Sequence, residues 1–117
     1  MRVLLDHWVP RRFGRLIGAH EVRTAFEMGW GSLSNGELLA KARGAFDVFV
    51  TVDQNVQFQQ NLLGLPLPVV VLVAPDNRLE TSAPHAPALL QILAQPLARE
   101  LIRVESTGGV VRLPPRP

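Results

Sequence analysis

The sequence predicts an α/β fold in which strands and helices alternate around a central, mostly parallel sheet. Short runs of β-branched and apolar residues recur along the chain, and amphipathic segments with helix-start and helix-stop residues separate them. The run Leu67–Val73 is apolar almost throughout. A strand that is apolar on both faces is typical of a parallel sheet that helices cover on both sides.

The beginning of the chain predicts a strand, a helix and a second strand. Arg2–Leu5 is a short, mostly apolar run, and Pro10 suits the first turn of the helix that follows, because its missing N–H would have no partner there. The helix ends at Gly18 and turns three apolar side chains inward, those of Phe13, Leu16 and Ile17. Alternation over 20–24 predicts the second strand, and 25–28 a short helix.

The middle of the chain repeats this alternation. Ser34–Glu37 matches a capping box, which predicts a helix that continues to Arg43 and ends at Gly44. The β-rich run Asp47–Thr51 predicts a central strand. A helix over 55–63 follows, and then the apolar strand described above.

The last part of the chain predicts a helix over Pro84–Ala94 and a C-terminal β-hairpin. The hairpin strands are Leu101–Glu105 and Val110–Leu113, which flank the turn sequence Ser-Thr-Gly-Gly. We expect residues 1–113 to form a single domain and 114–117 to be a frayed, Pro-rich tail.

Composition excludes several classes of protein. With 47% hydrophobic and 19% charged residues, the 117-residue chain has a globular rather than a disordered composition. The absence of cysteine excludes disulfides and thiolate metal sites, and it is compatible with a cytoplasmic location. The start does not match a signal peptide, and no apolar run approaches the roughly 20 residues that span a bilayer, so we expect no membrane partner. A net charge of +2 does not by itself call for nucleic acid.

Acidic residues follow two of the predicted strands. Asp6 comes directly after the first strand, Asp53 follows the Asp47–Thr51 strand, and Glu37 begins the helix between them. Ligands of open α/β sheets bind beyond the carboxyl ends of the strands. Carboxylates grouped at such an edge would suit Mg²⁺ or Mn²⁺.

Each acid also has a structural interpretation. Asp6 and Asp53 could each cap the helix that follows its strand, and Glu37 could complete the capping box with Ser34. The residues alone leave both interpretations open.

Several segments taken in order carry a resemblance to a known family. They are LLDHWVPRR, HEVRTAFEMGWGSLSNGELLAKA, FDVFVTVDQNVQFQQNL and APDNRLE, and they extend from about Arg2 to Val104. This set resembles the PIN-like proteins related to VapC-type ribonuclease toxins. The resemblance implies a three-layer α/β/α fold and a metal-dependent endoribonuclease, the toxin of a toxin–antitoxin pair. It implies that Asp6, Glu37 and Asp53 are the catalytic residues and hold Mg²⁺ or Mn²⁺.

The same resemblance implies partners. RNA would be the substrate, with its backbone held by Arg11, Arg12 and Arg78. A cognate antitoxin and a second copy of the chain, forming a homodimer, are the expected protein partners.

Two residues depart from the family pattern. Relatives usually have an acid-rich pair after the first strand, where this chain has His7, and many PIN domains have a further acid near the position of Asn55. His7 could be a ligand that suits Mn²⁺ or could hold no metal, and Asn55 could take part in the same site. These departures favour the alternative of a catalytically degenerate PIN-like binding or regulatory module.

A phosphoacceptor receiver domain is a third class, but receivers need a lysine on a late strand and Lys41 is the sole lysine.

Overall fold

The fold is a mixed α/β structure built on one sheet. The computed structural model describes residues 1–56 and 60–113, and its strands are β1 (Arg2–Leu5), β2 (Glu21–Thr24), β3 (Val48–Thr51), β4 (Val69–Leu72), β5 (Leu101–Val104) and β6 (Val110–Leu113). Within this part of the chain the strand order is β2-β1-β3-β4-β5-β6. The strands from β2 to β5 are parallel to their neighbours, and β6 pairs antiparallel with β5. The predicted, mostly parallel sheet is therefore confirmed.

Helical segments connect the strands. The α-helices are α1 (Asn35–Ala42), α2 (Leu79–Ser82) and α3 (Ala86–Leu93). Shorter 3-10 segments cover Arg11–Ile17, Leu62–Gly64 and Ala83–His85. Among the described residues no helix has the length and apolar character needed to cross a membrane.

Both faces of the sheet are covered, as the apolar β4 sequence predicts. Strand residues of one parity, such as Leu5 and Val50, pack with the Arg11–Ile17 segment and α3. Residues of the other parity, such as Leu4 and Phe49, pack with α1. Side chains alternate between the two faces along a strand. A residue that follows Leu4 or Phe49 by an even number of positions therefore points toward the α1 side, even when it lies just beyond the end of the strand.

The Arg11–Ile17 segment lies very close to β2. A Cβ atom on Gly14 would be 3.2 Å from Val22 Cγ1, so the absence of a side chain permits this approach. Since position 14 faces the sheet, Leu16 points away from it and is 42% exposed. The prediction that Leu16 turns inward is therefore wrong, whereas Phe13 and Ile17 are buried as predicted.

The predicted helix over 25–28 is a turn. The Thr24 N–H donates to Glu27 Oε1 at 3.2 Å, and the Glu27 N–H donates to Thr24 Oγ1 at 3.0 Å. Gly29, with a φ of 77°, then reverses the chain before a second helical turn can form. The two Thr24–Glu27 bonds are the reciprocal pair of a capping box, so they start a helical turn that Gly29 ends at once, and Phe26 lies on the surface of that turn, 78% exposed.

Two other predicted segments fall partly or wholly outside the description. The predicted helix over 55–63 includes residues 57–59, which lie outside the described residues, and its far end is the 3-10 segment Leu62–Gly64. The predicted tail over 114–117 also lies outside the described residues.

Candidate functional site

The carboxyl ends of β1 and β3 form the centre of the candidate site. From β1 the chain crosses to β2 on one side and later returns to β3 on the other, so the connections diverge at this pair of strands. Such a switch point is where open α/β sheets bind ligands. Leu5 is paired with Val50, which places the next residues, Asp6 and Thr51, side by side on the α1 side of the sheet.

Asp6 is fully buried at this edge. Its Oδ1 accepts the Trp8 N–H at 2.5 Å, and its Oδ2 accepts a short hydrogen bond from the Thr51 hydroxyl. The imidazole Nδ1 of His7 lies 3.6 Å from Asp6 Oδ1. The carboxylate is thus fixed by its neighbours, and it does not cap the helical segment Arg11–Ile17, which follows Pro10 and has no side-chain cap.

Burial raises the pKa of the Asp6 carboxyl above its ordinary value, because the charged form loses its hydration. The hydrogen bonds from Thr51 and Trp8 and the neighbouring His7 act in the opposite direction, while the negative charge of Asp53 adds to the rise in pKa. Asp6 and Asp53 are therefore close enough to interact electrostatically. Functional sites often contain an acid whose ionised form is destabilised by its surroundings.

Thr51 connects the two acids. Its buried hydroxyl donates to Asp6 Oδ2 and accepts the backbone N–H of Asp53 at 2.9 Å. The Thr-x-Asp sequence therefore has a specific structural role, since one hydroxyl fixes both the carboxylate of the first acid and the backbone of the second.

Asp53 is held from both sides by amide groups. Its Oδ2 accepts from Asn35 Nδ2 at 3.1 Å, and its Oδ1 accepts the backbone N–H of Asn55 at 3.0 Å. The remaining polar atom of that contact, Asn35 Oδ1, is buried and has no hydrogen-bond partner among the described residues. An oxygen acceptor without a partner, next to a carboxylate, is an arrangement that a cation would satisfy.

Glu37 lies at the start of α1 but has a different set of contacts. Its Oε1 accepts from the Ser34 N–H at 3.2 Å and from the Ser34 hydroxyl at 3.0 Å, and its own N–H donates to Ser34 Oγ. The capping box predicted from the sequence is confirmed. The structure brings Asp6 and Asp53 together through Thr51, and from α1 it brings Asn35 rather than Glu37 into hydrogen-bond contact with Asp53.

Two clefts open beside the acids. One of about 440 Å³ is lined by Asp53, Asn55 and the loop after β4. The other, of about 330 Å³, is lined by Asp6, His7 and Phe26. Trp8 and Asn77 line both clefts, so the two meet at these side chains.

The three arginines predicted to hold RNA lie at different places. Arg11 lines the Asp6 cleft, and both Arg11 and Arg12 line a larger cleft of about 770 Å³ beside β2. Arg78 instead forms an exposed ion pair with Glu80, at 3.2 Å. Arg11 and Arg12 are therefore on the side of Asp6, and Arg78 is engaged on the surface next to the loop that lines the Asp53 cleft.

The comparisons with known proteins assign no family. No family model matches the chain, and no match is found among curated proteins or solved structures. The resemblance to PIN-like proteins therefore stays a prediction, and the geometry of the site carries the functional argument.

The oxygen atoms at the edge suit a small divalent cation. In the described part of the chain no three His, Asp or Glu side chains are grouped to hold a metal together. Mg²⁺, however, commonly uses one or two protein carboxylates, with water and substrate phosphate completing its coordination. At this edge the oxygen atoms that could contribute to such a site are the carboxylates of Asp6 and Asp53 and the Oδ1 of Asn35, which has no hydrogen-bond partner among the described residues.

Sequence reasoning missed two residues of this site. The sequence analysis gives Asn35 only a place in the capping segment and Thr51 only a place at the end of a strand. The signal for Thr51 is available, because a polar residue at the last position of an otherwise apolar central strand must point its hydroxyl at a partner. No comparable local signal identifies Asn35.

Lys41, the sole lysine of the chain, lies away from this site. It is on α1, exposed, with its ammonium 6.0 Å from the centroid of the Trp30 ring. This position agrees with the argument against a receiver domain, whose lysine belongs at the carboxyl edge of the sheet.

Proposed function

We propose that the protein is a metal-dependent endoribonuclease with a three-layer PIN-like fold, and that its active site is the Asp6–Asp53 edge of the sheet. The observation that supports this most strongly is the pair of acids that Thr51 links at the switch point, beside Asn35 Oδ1, which has no hydrogen-bond partner among the described residues. The burial of the Asp6 carboxylate beside a second acid is costly, and a functional site explains that cost better than a structural role does.

In this proposal Asp6, Asp53 and Asn35 Oδ1 hold Mg²⁺ or Mn²⁺, and His7 is positioned to add an imidazole that Mn²⁺ accepts more readily than Mg²⁺. When bound, the metal supplies an activated water and stabilises the charge that develops on the phosphate oxygens. Thr51 orients the Asp6 carboxylate, and Glu37 fixes the start of α1 from which Asn35 projects. Arg11, at the mouth of the Asp6 cleft, is placed to bind a phosphate of the RNA.

The test is cleavage of mixed cellular RNA by the purified protein in Mg²⁺, in Mn²⁺ and in EDTA. Asp53→Asn should abolish cleavage and leave the fold intact, because the one amide oxygen still accepts the Asn55 N–H and the amide NH2 can donate to Asn35 Oδ1 once the Asn35 amide turns over. Asp47→Asn is the matched control: Asp47 is paired with Arg2 at the amino end of β3, so the same charge is lost at the opposite edge of the sheet. Equal cleavage by both variants would refute the proposal.

A second candidate function is supported by the contacts of Asp53. Both of its oxygens already accept hydrogen bonds from amide groups, and His7 stands next to Asp6 where relatives have an acid. This pattern favours the degenerate PIN-like module, which would bind RNA without cutting it. A folded protein that binds RNA, cuts nothing in either metal and gains cleavage on His7→Glu would favour this candidate. The antitoxin and the homodimer stay predictions under either function.

A further inference from the structure

Two exposed aromatic side chains flank the cleft that contains Asp6. Trp8 is 50% exposed and Phe26 is 78% exposed, and both line that cleft together with Asp6. Phe26 lies on the turn between Thr24 and Glu27, whose two reciprocal hydrogen bonds fix the backbone there. An exposed phenylalanine forgoes the stabilisation that burial would give, and its aromatic face stays available to a ligand.

An arginine-rich cleft continues from the same place. The cleft of about 770 Å³ shares Arg11 and Thr24 with the Asp6 cleft and extends along β2. Its lining includes four arginines, Arg11, Arg12, Arg15 and Arg23. Within the described residues none of these four guanidinium groups has a carboxylate partner.

The charges on the lining leave a positive surface. The acids there are Glu21 and Glu27, and Glu27 is engaged by the backbone of Thr24. Four arginines against two acids give an excess of two positive charges. Arginine suits phosphate because its planar fork can donate two parallel hydrogen bonds.

We propose, building on the ribonuclease function above, that these two clefts form one track for single-stranded RNA that runs from Asp6 toward β2. A base stacks on Phe26 or Trp8 beside Asp6, and the phosphates that follow are bound by Arg12, Arg15 and Arg23. A groove of positive charge with aromatic platforms is the usual arrangement for single strands, because a duplex hides the faces of its bases. The track assigns RNA contacts to Arg15, Arg23 and Phe26, and it does not pass Arg78.

The test is binding of a fluorescein-labelled single-stranded RNA to the full chain in EDTA, followed by anisotropy. Phe26→Ala should weaken binding by about 5- to 150-fold, the loss of one stacked base, and Phe26→Trp should restore it. Leu63→Ala is the matched control, because Leu63 is 86% exposed and lines a different cleft. An equal effect of Phe26→Ala and Leu63→Ala would overturn the stacking part of the proposal.

Salt dependence tests the arginines. Each phosphate contact contributes about 0.7 to the slope of log K against log salt for a single strand, so Arg15→Gln and Arg23→Gln should each reduce that slope by about 0.7. Arg43→Gln is the control, because Arg43 lines a cleft with Met1 and Asp47 at the amino ends of β1 and β3. The proposal is overturned if Arg43→Gln changes the slope as much as Arg23→Gln does, or if the same strand annealed to its complement binds as tightly.

The two proposals fail in different ways. Binding along the track is measured without metal, so RNA that binds there but is never cut would contradict the nuclease and leave the track supported. Cleavage that depends on Asp53, with binding unaffected by Phe26→Ala and Arg23→Gln, would contradict the track and leave the nuclease supported.

Discussion

Replacing Thr51 with valine removes the one hydroxyl that links the two acids while keeping the shape of the side chain. Thr51 is fully buried, and its hydroxyl donates to the Asp6 carboxylate and accepts the Asp53 N–H at 2.9 Å. A hydrogen bond to a charged group contributes about 1.5–3 kcal/mol and one to a neutral backbone group about 0.5–1.5 kcal/mol. Thr51→Val should therefore lower the free energy of unfolding by about 2–4.5 kcal/mol, a large part of the about 5–15 kcal/mol available to a domain.

Thr51→Ser is the matched control, because it keeps the hydroxyl and removes only the methyl group. Its cost should be about 1 kcal/mol, the value of one buried methyl. Both variants are measured by urea unfolding in EDTA at pH 7, followed by tryptophan fluorescence and far-ultraviolet circular dichroism, with an unchanged m value as the check on the unfolded state. If the hydroxyl had no role, valine would be tolerated at least as well as serine, and that order of stabilities would refute the reasoning.

Three further predictions concern the charges of the site. The raised pKa of Asp6 predicts a pH dependence of the free energy of unfolding in EDTA. Between the unfolded-state pKa of Asp6 and its higher folded-state pKa, the wild type should lose about 1.4 kcal/mol per pH unit relative to Asp6→Asn as the pH rises. Free energies from urea unfolding that change with pH in parallel for the two proteins would contradict this. Glu37→Gln should keep RNA cleavage, because Gln also completes a capping box; a loss as large as that of Asp53→Asn would return Glu37 to the metal site. Asn35→Asp should tighten Mn²⁺ binding in calorimetry and destabilise the metal-free protein through repulsion with Asp53, and unchanged affinity would exclude position 35 from the donor set.

The parts of the fold that local patterns determine were predicted from the sequence. The β4 strand follows from a run that is apolar almost throughout, and α1 follows from the Ser34–Glu37 box, whose bonds are both present. Each of these signals is contained within a few neighbouring residues, so no tertiary information is needed to recognise it.

The misses arise where tertiary contacts or a competing turn decide the outcome. Leu16 has the spacing of an inward residue, but the close approach of Gly14 to Val22 sets which side of its segment faces the sheet. The 25–28 segment has helix-forming residues and a capping box at Thr24–Glu27, yet the left-handed conformation of Gly29 ends it after one turn. Neither effect is visible in periodicity.

The acids of the candidate site could be predicted from the sequence, but the contacts of Thr51 and Asn35 that connect them could not. That Asp6 and Asp53 lie at strand ends follows from the sequence, but their proximity depends on β1 and β3 being neighbours, with Leu5 paired to Val50. That register places Thr51 beside Asp6. The orientation of Asn35 depends on where α1 packs, which no local signal specifies.

Three energetic costs at the site motivate the proposal that its acids hold a cation. Asp6 carries a carboxylate where burial disfavours the charge, the charge of Asp53 adds to that cost, and Asn35 Oδ1 is buried without a partner among the described residues. If Asp6 served only to accept the bonds from Thr51 and Trp8, asparagine could accept a bond through its oxygen without a buried charge. A divalent cation would relieve all three costs together, since it pairs with both carboxylates and accepts the free amide oxygen as a ligand. The destabilisation that the buried Asp6 charge causes in the metal-free protein is therefore the measurable quantity that connects the fold to the proposed chemistry.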